Sequence, residues 1–161
     1  MKLRLILPLL CAMPVWATDL SLPLQNLMEQ HSVSQLLRGE NRVSLTQTGT
    51  DNLASLLQRG SGNSITLTQQ GQTQQSTVIQ LGENNRVYAL LVGSDNQLDL
   101  EQVGRSNQAQ MFLGGNGSKL DVNQYGDANL VDVGIYSVTP MDSPLSITQT
   151  GSERTLYIGI Y

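Results

Sequence analysis

The stretch Asn41–Gly49, Asn-Arg-Val-Ser-Leu-Thr-Gln-Thr-Gly, recurs with a period of eleven through the rest of the chain. Asn41, Asn52, Asn63, Asn85, Asn96, Asn107 and Asn129 open successive units, with Gln74 and Ser118 completing the series. At the eighth position after each of these comes a glycine: Gly49, Gly60, Gly71, Gly82, Gly93, Gly104, Gly115 and Gly126. After Ser137 a three-residue insertion follows, and the pattern resumes at Ser143 with Gln149 and Gly151. A short fixed period restricts the chain to stacked-repeat architectures, in which each unit buries its apolar side only against its neighbours.

Each unit can be numbered from position 0 to position 10. Positions 2 and 4 are apolar in every unit, from Val43/Leu45 to Leu156/Ile158, except at Ser76. Positions 1, 3 and 5 are mostly polar. Alternation with period two places successive side chains on opposite sides of a strand, whereas a helix needs spacings of three and four. The glycine and the Asp, Asn, Ser or Gly near it supply a turn. Each unit therefore reads as one strand plus one tight turn.

Two kinds of unit alternate, so the true period is two units long. In one set position 6 is always Gln: Gln58, Gln80, Gln102, Gln124 and Gln149. In the other it begins as Gln47 and Gln69 and becomes Leu91, Leu113, Ile135 and Ile160, while position 0 stays Asn from Asn41 to Asn129. The pattern predicts an all-β, amyloid-like β-solenoid with two strands in each two-unit rung and rungs ~4.8 Å apart. Positions 0, 2, 4 and 6 would share the inner face. Its edges would carry amide ladders, through Asn41, Gln47, Asn52, Gln58, Asn63, Gln69, Gln80, Asn85, Asn96, Gln102, Asn107, Gln124, Asn129 and Gln149. A buried amide is tolerated there because each can donate to the copy above and accept from the copy below.

Ahead of the repeats, residues 1–17 read as a secretory signal, with Lys2 and Arg4, an apolar run from Leu5 to Val15, and a cleavage site at Ala17. The run is too short to span a bilayer as a helix. Cys11 would suggest a lipoprotein, but bulky Leu10 before it is wrong for that processing. Removing the signal takes away the only Cys and both Lys2 and Arg4, which makes the formal net charge of −4 more negative by two. That charge argues against nucleic acid, which needs a basic footprint. Residues 18–40 form a lead-in: Leu24–Gln30 admits a short helix or disorder, and His31–Gly39 a degenerate first strand. His31, the single His, reads as a pH switch or ligand, or more simply as a polar residue at a strand start.

The outer face changes along the array. Early units carry Ser and Thr. Middle units carry Arg86, Tyr88, Leu90, Asp99, Glu101 and Phe112. Asp99 and Asp121 stand one full rung apart and so stack with like charge. Such charges restrain aggregation or form an ordinary solvated surface. Residues 137–143 interrupt the turn, Arg154 replaces Asn, and the chain closes on a β-prone segment. Leu156, Tyr157, Ile158, Ile160 and Tyr161 read as a candidate docking strand or a self-association hazard, since a solenoid end without a polar cap exposes its core, or more simply as a last strand.

No catalytic constellation is legible: the one His stands alone and the carboxylates are dispersed, so neither an enzyme, a cofactor nor a small-molecule substrate is expected. A calcium solenoid would need a nine-residue Gly/Asp repeat. An ice-binding or ligand-binding solenoid is the non-amyloid rival, with Thr46/Thr48 set against Thr66/Thr68 as a flat Thr face.

Ser118…Gln124-Tyr-Gly126…Asn129, Asn96…Gln102-Val-Gly104…Asn107-Gln-Ala109 and Asn52…Gln58-Arg-Gly60…Asn63 resemble the curlin repeat, Ser-x5-Gln-x-Gly-x2-Asn-x-Ala-x3-Gln. The resemblance covers residues 41–161. It implies a subunit of curli, the extracellular functional amyloid of bacterial biofilms. The lead-in, irregular repeats and divergent last unit look more like the minor subunit, which nucleates the major one at the cell surface, than like the major subunit. The resemblance also implies partners: the major curlin and self, the curli outer-membrane export channel, and periplasmic chaperones. The chain departs from the repeat at Leu91, Leu113, Ile135 and Ile160, where the final Gln is lost.

Overall fold

The computed structural model describes residues 40–161. The expected signal segment, His31 and the lead-in up to residue 39 lie outside them. All regular elements of the described residues are strands: β1 (Arg42–Thr50), β2 (Leu53–Ser61), β3 (Ser64–Gln72), β4 (Gln75–Glu83), β5 (Arg86–Ser94), β6 (Gln97–Arg105), β7 (Gln108–Asn116), β8 (Lys119–Asp127), β9 (Leu130–Ser137), β10 (Leu145–Thr150) and β11 (Thr155–Ile160). The odd strands form one sheet in the order β1-β3-β5-β7-β9-β11, and the even strands a second, β10-β8-β6-β4-β2.

Every pairing is parallel. Parallel neighbours ordinarily need a long crossover, often a helix. Here the crossover is the next strand itself, lying in the opposite sheet, so very short connections suffice. The register sets Val43 on Ile65, Gln58 on Gln80 and Leu98 on Leu120. Like residues thus stack along a β-solenoid whose rung is two repeat units.

Between the sheets lies a narrow core of Ile65, Leu67, Val78, Val87, Leu91, Leu98, Leu113, Leu120, Val122, Val131, Val133 and Ile135, each at most 3% exposed. It comes from positions 2 and 4, extended by position 6 in the odd sheet. The core thins at the first rung: β1 is exposed along its whole length, with Val43 51% and Leu45 43% accessible.

The corners keep the backbone paired as well. At most of them a position-1 amide donates to the position-0 carbonyl one rung on, as Ser64 N to Asn85 O at 2.8 Å; at the insertion Lys119 N meets Met141 Sδ at 3.4 Å instead. From Gly49 to Gly126 the glycines at position 8 lie within the strands, Gly151 just after β10, and the bend begins there. The tight turn follows two positions later, at the left-handed residues Asp51, Gly62, Thr73, Asn84, Asp95, Ser106, Gly117, Ala128 and Glu153. Gly104 shows why position 8 is restricted. Its φ is 125°, and an added Cβ would collide with the carbonyl oxygen of Gly126 in the next rung.

Residues 138–144 are absorbed at one corner. Met141 N donates to Gly117 O at 3.0 Å, and beyond the insertion Leu120 still pairs with Leu145 and Gln124 with Gln149.

One expectation is corrected. Thr46/Thr48 and Thr66/Thr68 do not stack on each other. Thr46 faces Thr68, Ser44 faces Thr66, and Thr48 faces Gln70. The main-chain register is fixed by the inner face, so the Thr-x-Thr pairs sit one pleat out of phase. Above them stand Tyr88 and Leu90, which ends the hydroxyl surface.

Gly104→Ala should destabilise the chain by about 3 kcal/mol or more, because strained φ and a backbone collision combine. Urea unfolding checks this; a loss under about 1 kcal/mol, ordinary for an unstrained exposed site, would show that the corner can yield.

Amide ladders and the candidate assembly interface

Position 6 of the even sheet carries an unbroken column of glutamines. Gln58 Nε2 donates to Gln80 Oε1 at 2.8 Å, Gln80 to Gln102 at 2.8 Å, Gln102 to Gln124 at 2.8 Å and Gln124 to Gln149 at 2.7 Å. Each also donates across to the position-1 carbonyl of an odd strand, as Gln80 to Ser64 O at 3.2 Å and Gln102 to Arg86 O at 3.2 Å. Both amide hydrogens and the oxygen are therefore used. Gln80, Gln102 and Gln124 are fully buried without an orphaned group.

The asparagines at position 0 work differently from the simple ladder expected of them. Asn63 Oδ1 accepts the backbone N–H of Asn85 at 3.0 Å, while its Nδ2 reaches the carbonyl of Gly82 at 2.9 Å. Asn85, Asn107 and Asn129 repeat this on Gly104, Gly126 and Gly151. The side-chain bonds between asparagines run opposite to those of glutamine, from Asn85 Nδ2 back to Asn63 Oδ1 at 3.1 Å. Asn thus ties position 0 to the position-8 glycine carbonyl, and Asn41 does the same to Gly60 O at 3.0 Å.

The two corners differ. The turn from even to odd strands keeps the Gln58–Gln149 column and the Asn41–Asn129 row over its length. The turn from odd to even strands begins with Gln47 donating to Gln69 at 2.7 Å and then changes to Leu91, Leu113 and Ile135. At that change Gln69 has no glutamine above it. Its Nε2 turns instead to Ser76 Oγ at 3.0 Å and to Leu53 O at 3.1 Å. The one polar residue at an apolar position is therefore the partner of the ladder's last amide. The signal was available in the sequence: Ser76 stands in the unit that follows Gln69, whereas Leu98 and Leu120 hold the same place after Leu91 and Leu113.

On this less regular corner Asn52 Oδ1 accepts Gln74 N at 3.1 Å, and Asn96 Oδ1 accepts Ser118 N at 3.0 Å. Gln74, one methylene longer than Asn, still reaches Gln70 O at 2.7 Å and Gly93 O at 3.0 Å with its nitrogen. Its buried Oε1 is left without a partner.

On the outside, Asp99 faces Asp121. Each receives an amide from its own strand: Gln97 Nε2 to Asp99 at 2.9 Å, and Asn123 Nδ2 to Asp121 at 2.9 Å. The Tyr125 hydroxyl donates to Glu101 at 2.8 Å, which raises its pKa above the ordinary tyrosine value. Asp127 accepts from the Arg105 side chain at 3.1 Å and from its backbone N–H at 2.9 Å. These bonds hold the Asp127 carboxyl below the usual carboxylate range. Among the described residues no group of three or more His, Cys, Asp or Glu side chains gathers as a metal site.

The C-terminal strand β11 pairs with β9 on one edge, and Leu156 and Ile158 pack partly on the core. Ile160 is 42% exposed, and Tyr157 and Tyr161 stand on the outer side. Position 0 is Arg154, whose backbone N–H is taken by Asn129 Oδ1 at 3.2 Å.

These features define a class: a parallel β-solenoid of stacked two-unit rungs, cross-linked by in-register amides. The model of the curlin associated repeat matches residues 40–71 and 93–133, so the chain carries curlin repeats over both stretches, in support of the curlin family. The unmatched stretches contain Gln74, Ser76, the insertion and Arg154, where the pattern is least regular. A search of curated proteins found no match.

Gln74→Asn restores the length at which the side-chain oxygen meets the Asn96 N–H. It should stabilise the chain by about 1 kcal/mol in urea unfolding; destabilisation would mean that the longer side chain fills space that Asn cannot. For Asp127 the folded pKa lies below the unfolded one. Its contribution is therefore present above about pH 4 and is lost as pH falls through the folded value. Asp127→Asn should remove that part of the acid-induced loss, read as a flatter stability–pH curve below about pH 4.

Proposed function

We propose that the chain is a structural subunit of extracellular curli amyloid fibres and, within that role, the minor subunit that nucleates polymerisation of the major curlin at the cell surface. The observation that carries this reading is that every rung binds the next through one repeated set of contacts: backbone pairing, the glutamine column and the asparagine-to-glycine ties. The strand edges at the end faces offer another chain the backbone pairing that each rung offers its neighbour. A soluble curlin chain meeting such a face can complete the unpaired strand edge and lengthen the ladders without new chemistry.

The irregular features favour a nucleator over a bulk subunit. Four position-6 glutamines are replaced by Leu91, Leu113, Ile135 and Ile160, a corner is interrupted by residues carrying Pro140, and Arg154 stands in the last asparagine place. Each reduces the number of identical bonds available for indefinite self-stacking. The ordered rungs before them still form a complete template. Leu156, Tyr157, Ile158, Ile160 and Tyr161 supply a docking strand at the opposite end. Export through the curli channel with periplasmic chaperones, and placement at the cell surface in biofilm and adhesion, complete the reading. A catalytic role is no part of it.

Thioflavin T fluorescence of the chain beginning at Thr18, alone and as a trace seed for a major curlin, tests the proposal. A seeded lag shortened several-fold by substoichiometric amounts is the expected result. Rapid fibre formation without special seeding power would assign the major-subunit role instead. A thioflavin-negative monomer that seeds nothing would overturn the amyloid reading and bring back the ice-binding one, to be checked by thermal hysteresis.

A further inference from the structure

The two end faces of the solenoid are chemically unequal, and the inequality begins with the direction of the glutamine column. Every Gln–Gln bond runs from Nε2 on an earlier strand to Oε1 on a later one. The direction is fixed rather than arbitrary. Gln58, Gln69, Gln80, Gln102 and Gln124 each use a second N–H on a backbone carbonyl, such as Arg42 O for Gln58 and Leu53 O for Gln69. A carbonyl can only accept, so the amide cannot flip without losing that bond. The early end of the stack therefore shows amide oxygens and the late end amide hydrogens.

The β1–β2 face carries two such oxygens, one in each sheet: Gln47 Oε1 and Gln58 Oε1. Among the described residues neither has a donor. Both strands are open to solvent at positions 2 and 4, β1 fully and β2 partly. The β10–β11 face is different. Only the even sheet ends on an amide, Gln149, whose Nε2 is already directed at Leu130 O at 3.0 Å and Arg154 O at 3.5 Å. The odd sheet ends on Ile160. The Arg154 side chain lies over the Gly151 corner, where an added Cβ would come within 3.2 Å of its Nε.

We infer that the β1–β2 face captures the incoming chain, and that the partner it fits is a curlin-repeat chain with Gln at position 6 of both strands of its last rung. The inference rests on the fibre-subunit reading and adds to it an end and a partner. Such a partner brings two amide hydrogens onto Gln47 and Gln58, and neither oxygen is left buried and unpaired. The opposite junction, with the partner's first rung on β10–β11, sets one amide oxygen against Ile160, where it finds no donor. A second copy of this chain brings only Gln149, whose second hydrogen must first leave Arg154 O at 3.5 Å, together with Ile160, and satisfies at most one oxygen of the two. The face thus prefers a doubly amide-bearing chain to its own copies, the selectivity required of a protein that starts fibres made of something else.

A coupling experiment tests this with the full chain. The monomeric probe is the chain beginning at Thr18 carrying Ile160→Gln, which places glutamine on both strands of the last rung. Seeds are sheared fibres of the unmodified chain or of the double variant Gln47→Leu/Gln58→Leu. Leucine is what the chain itself carries at position 6 of the odd sheet, at 91 and 113; because Gln69 and Gln80 lose the donors to their Oε1 in the double variant, seeds of each single variant serve should it form no fibres. The Ile160→Gln monomer should elongate unmodified seeds about tenfold faster than the unmodified monomer does, the effect of one additional satisfied buried amide. That advantage should disappear on the variant seeds. The comparison is of initial rates, at less than one monomer added per fibre end, because each added monomer presents its own Gln47, Gln58 and residue 160 to the next; within that first addition the late face is common to both monomers and cancels. An advantage of equal size on both kinds of seed, or none on unmodified seeds, overturns the inference while leaving the fibre reading intact. Failure of unmodified seeds to elongate any monomer overturns both.

Discussion

A primary amide shut away from water must use two hydrogens and an oxygen, and on the inner face of a narrow solenoid few groups can receive them. Another amide one strand spacing above and one below is a partner that repeats indefinitely. Placing glutamine at position 6 of every second unit therefore commits the chain to exact stacking of that unit on its own kind. Antiparallel pairing or a slip by one residue would take the glutamines out of contact and turn the apolar positions outward. The hydrophobic residues supply most of the burial, but they are interchangeable among Val, Leu, Ile, Ala and Met. The amides are what make one register better than its neighbours. Gln74 shows how narrow the tolerance is, since one extra methylene orphans an oxygen.

The remaining features follow from holding strands at that spacing. Turning from one sheet to the other brings the position-8 backbones close together, and at Gly104 there is no room for a side chain. The asparagines at position 0 fasten these close approaches by holding the glycine carbonyls. Outside, like charges are forced into stacks by the same register, and the chain relieves Asp99 and Asp121 with amides from neighbouring positions on their own strands. Where the glutamine column stops, at Gln69, the facing sheet supplies a hydroxyl. Each local adjustment leaves the strand-to-strand geometry unchanged.

Much of this was legible in the sequence because stacking makes it redundant. Period-two alternation identified the strands, and the recurrence of glutamine at every second unit set the two-unit register. What escaped has physical causes. The left-handed residue of the turn is filled by Asp, Gly, Thr, Asn, Ser, Ala and Glu in turn, so no residue type marks it. The asparagines bond largely to backbone, and side-chain spacing carries no record of where a main-chain carbonyl points. The Thr-x-Thr pairs suggested a pairing of their own, but outward residues inherit their neighbours from the inner face. The part played by the ladder residues in joining separate molecules is a further matter, because register within one chain does not reveal which chain comes next.

The detour after Ser137 has a consequence for how such a protein can change. The inserted segment leaves the coil at a corner, keeps Met141 against the core and returns with Leu145 seated on Leu120, so the winding accommodates extra length at that edge. Length variation is confined to a rim, while the lattice itself admits substitution only in kind. In an assembly of many such molecules, a segment spliced into this rim would be carried outward at regular intervals along the filament. The architecture thus separates a fixed scaffold from a position at which new surface can be displayed.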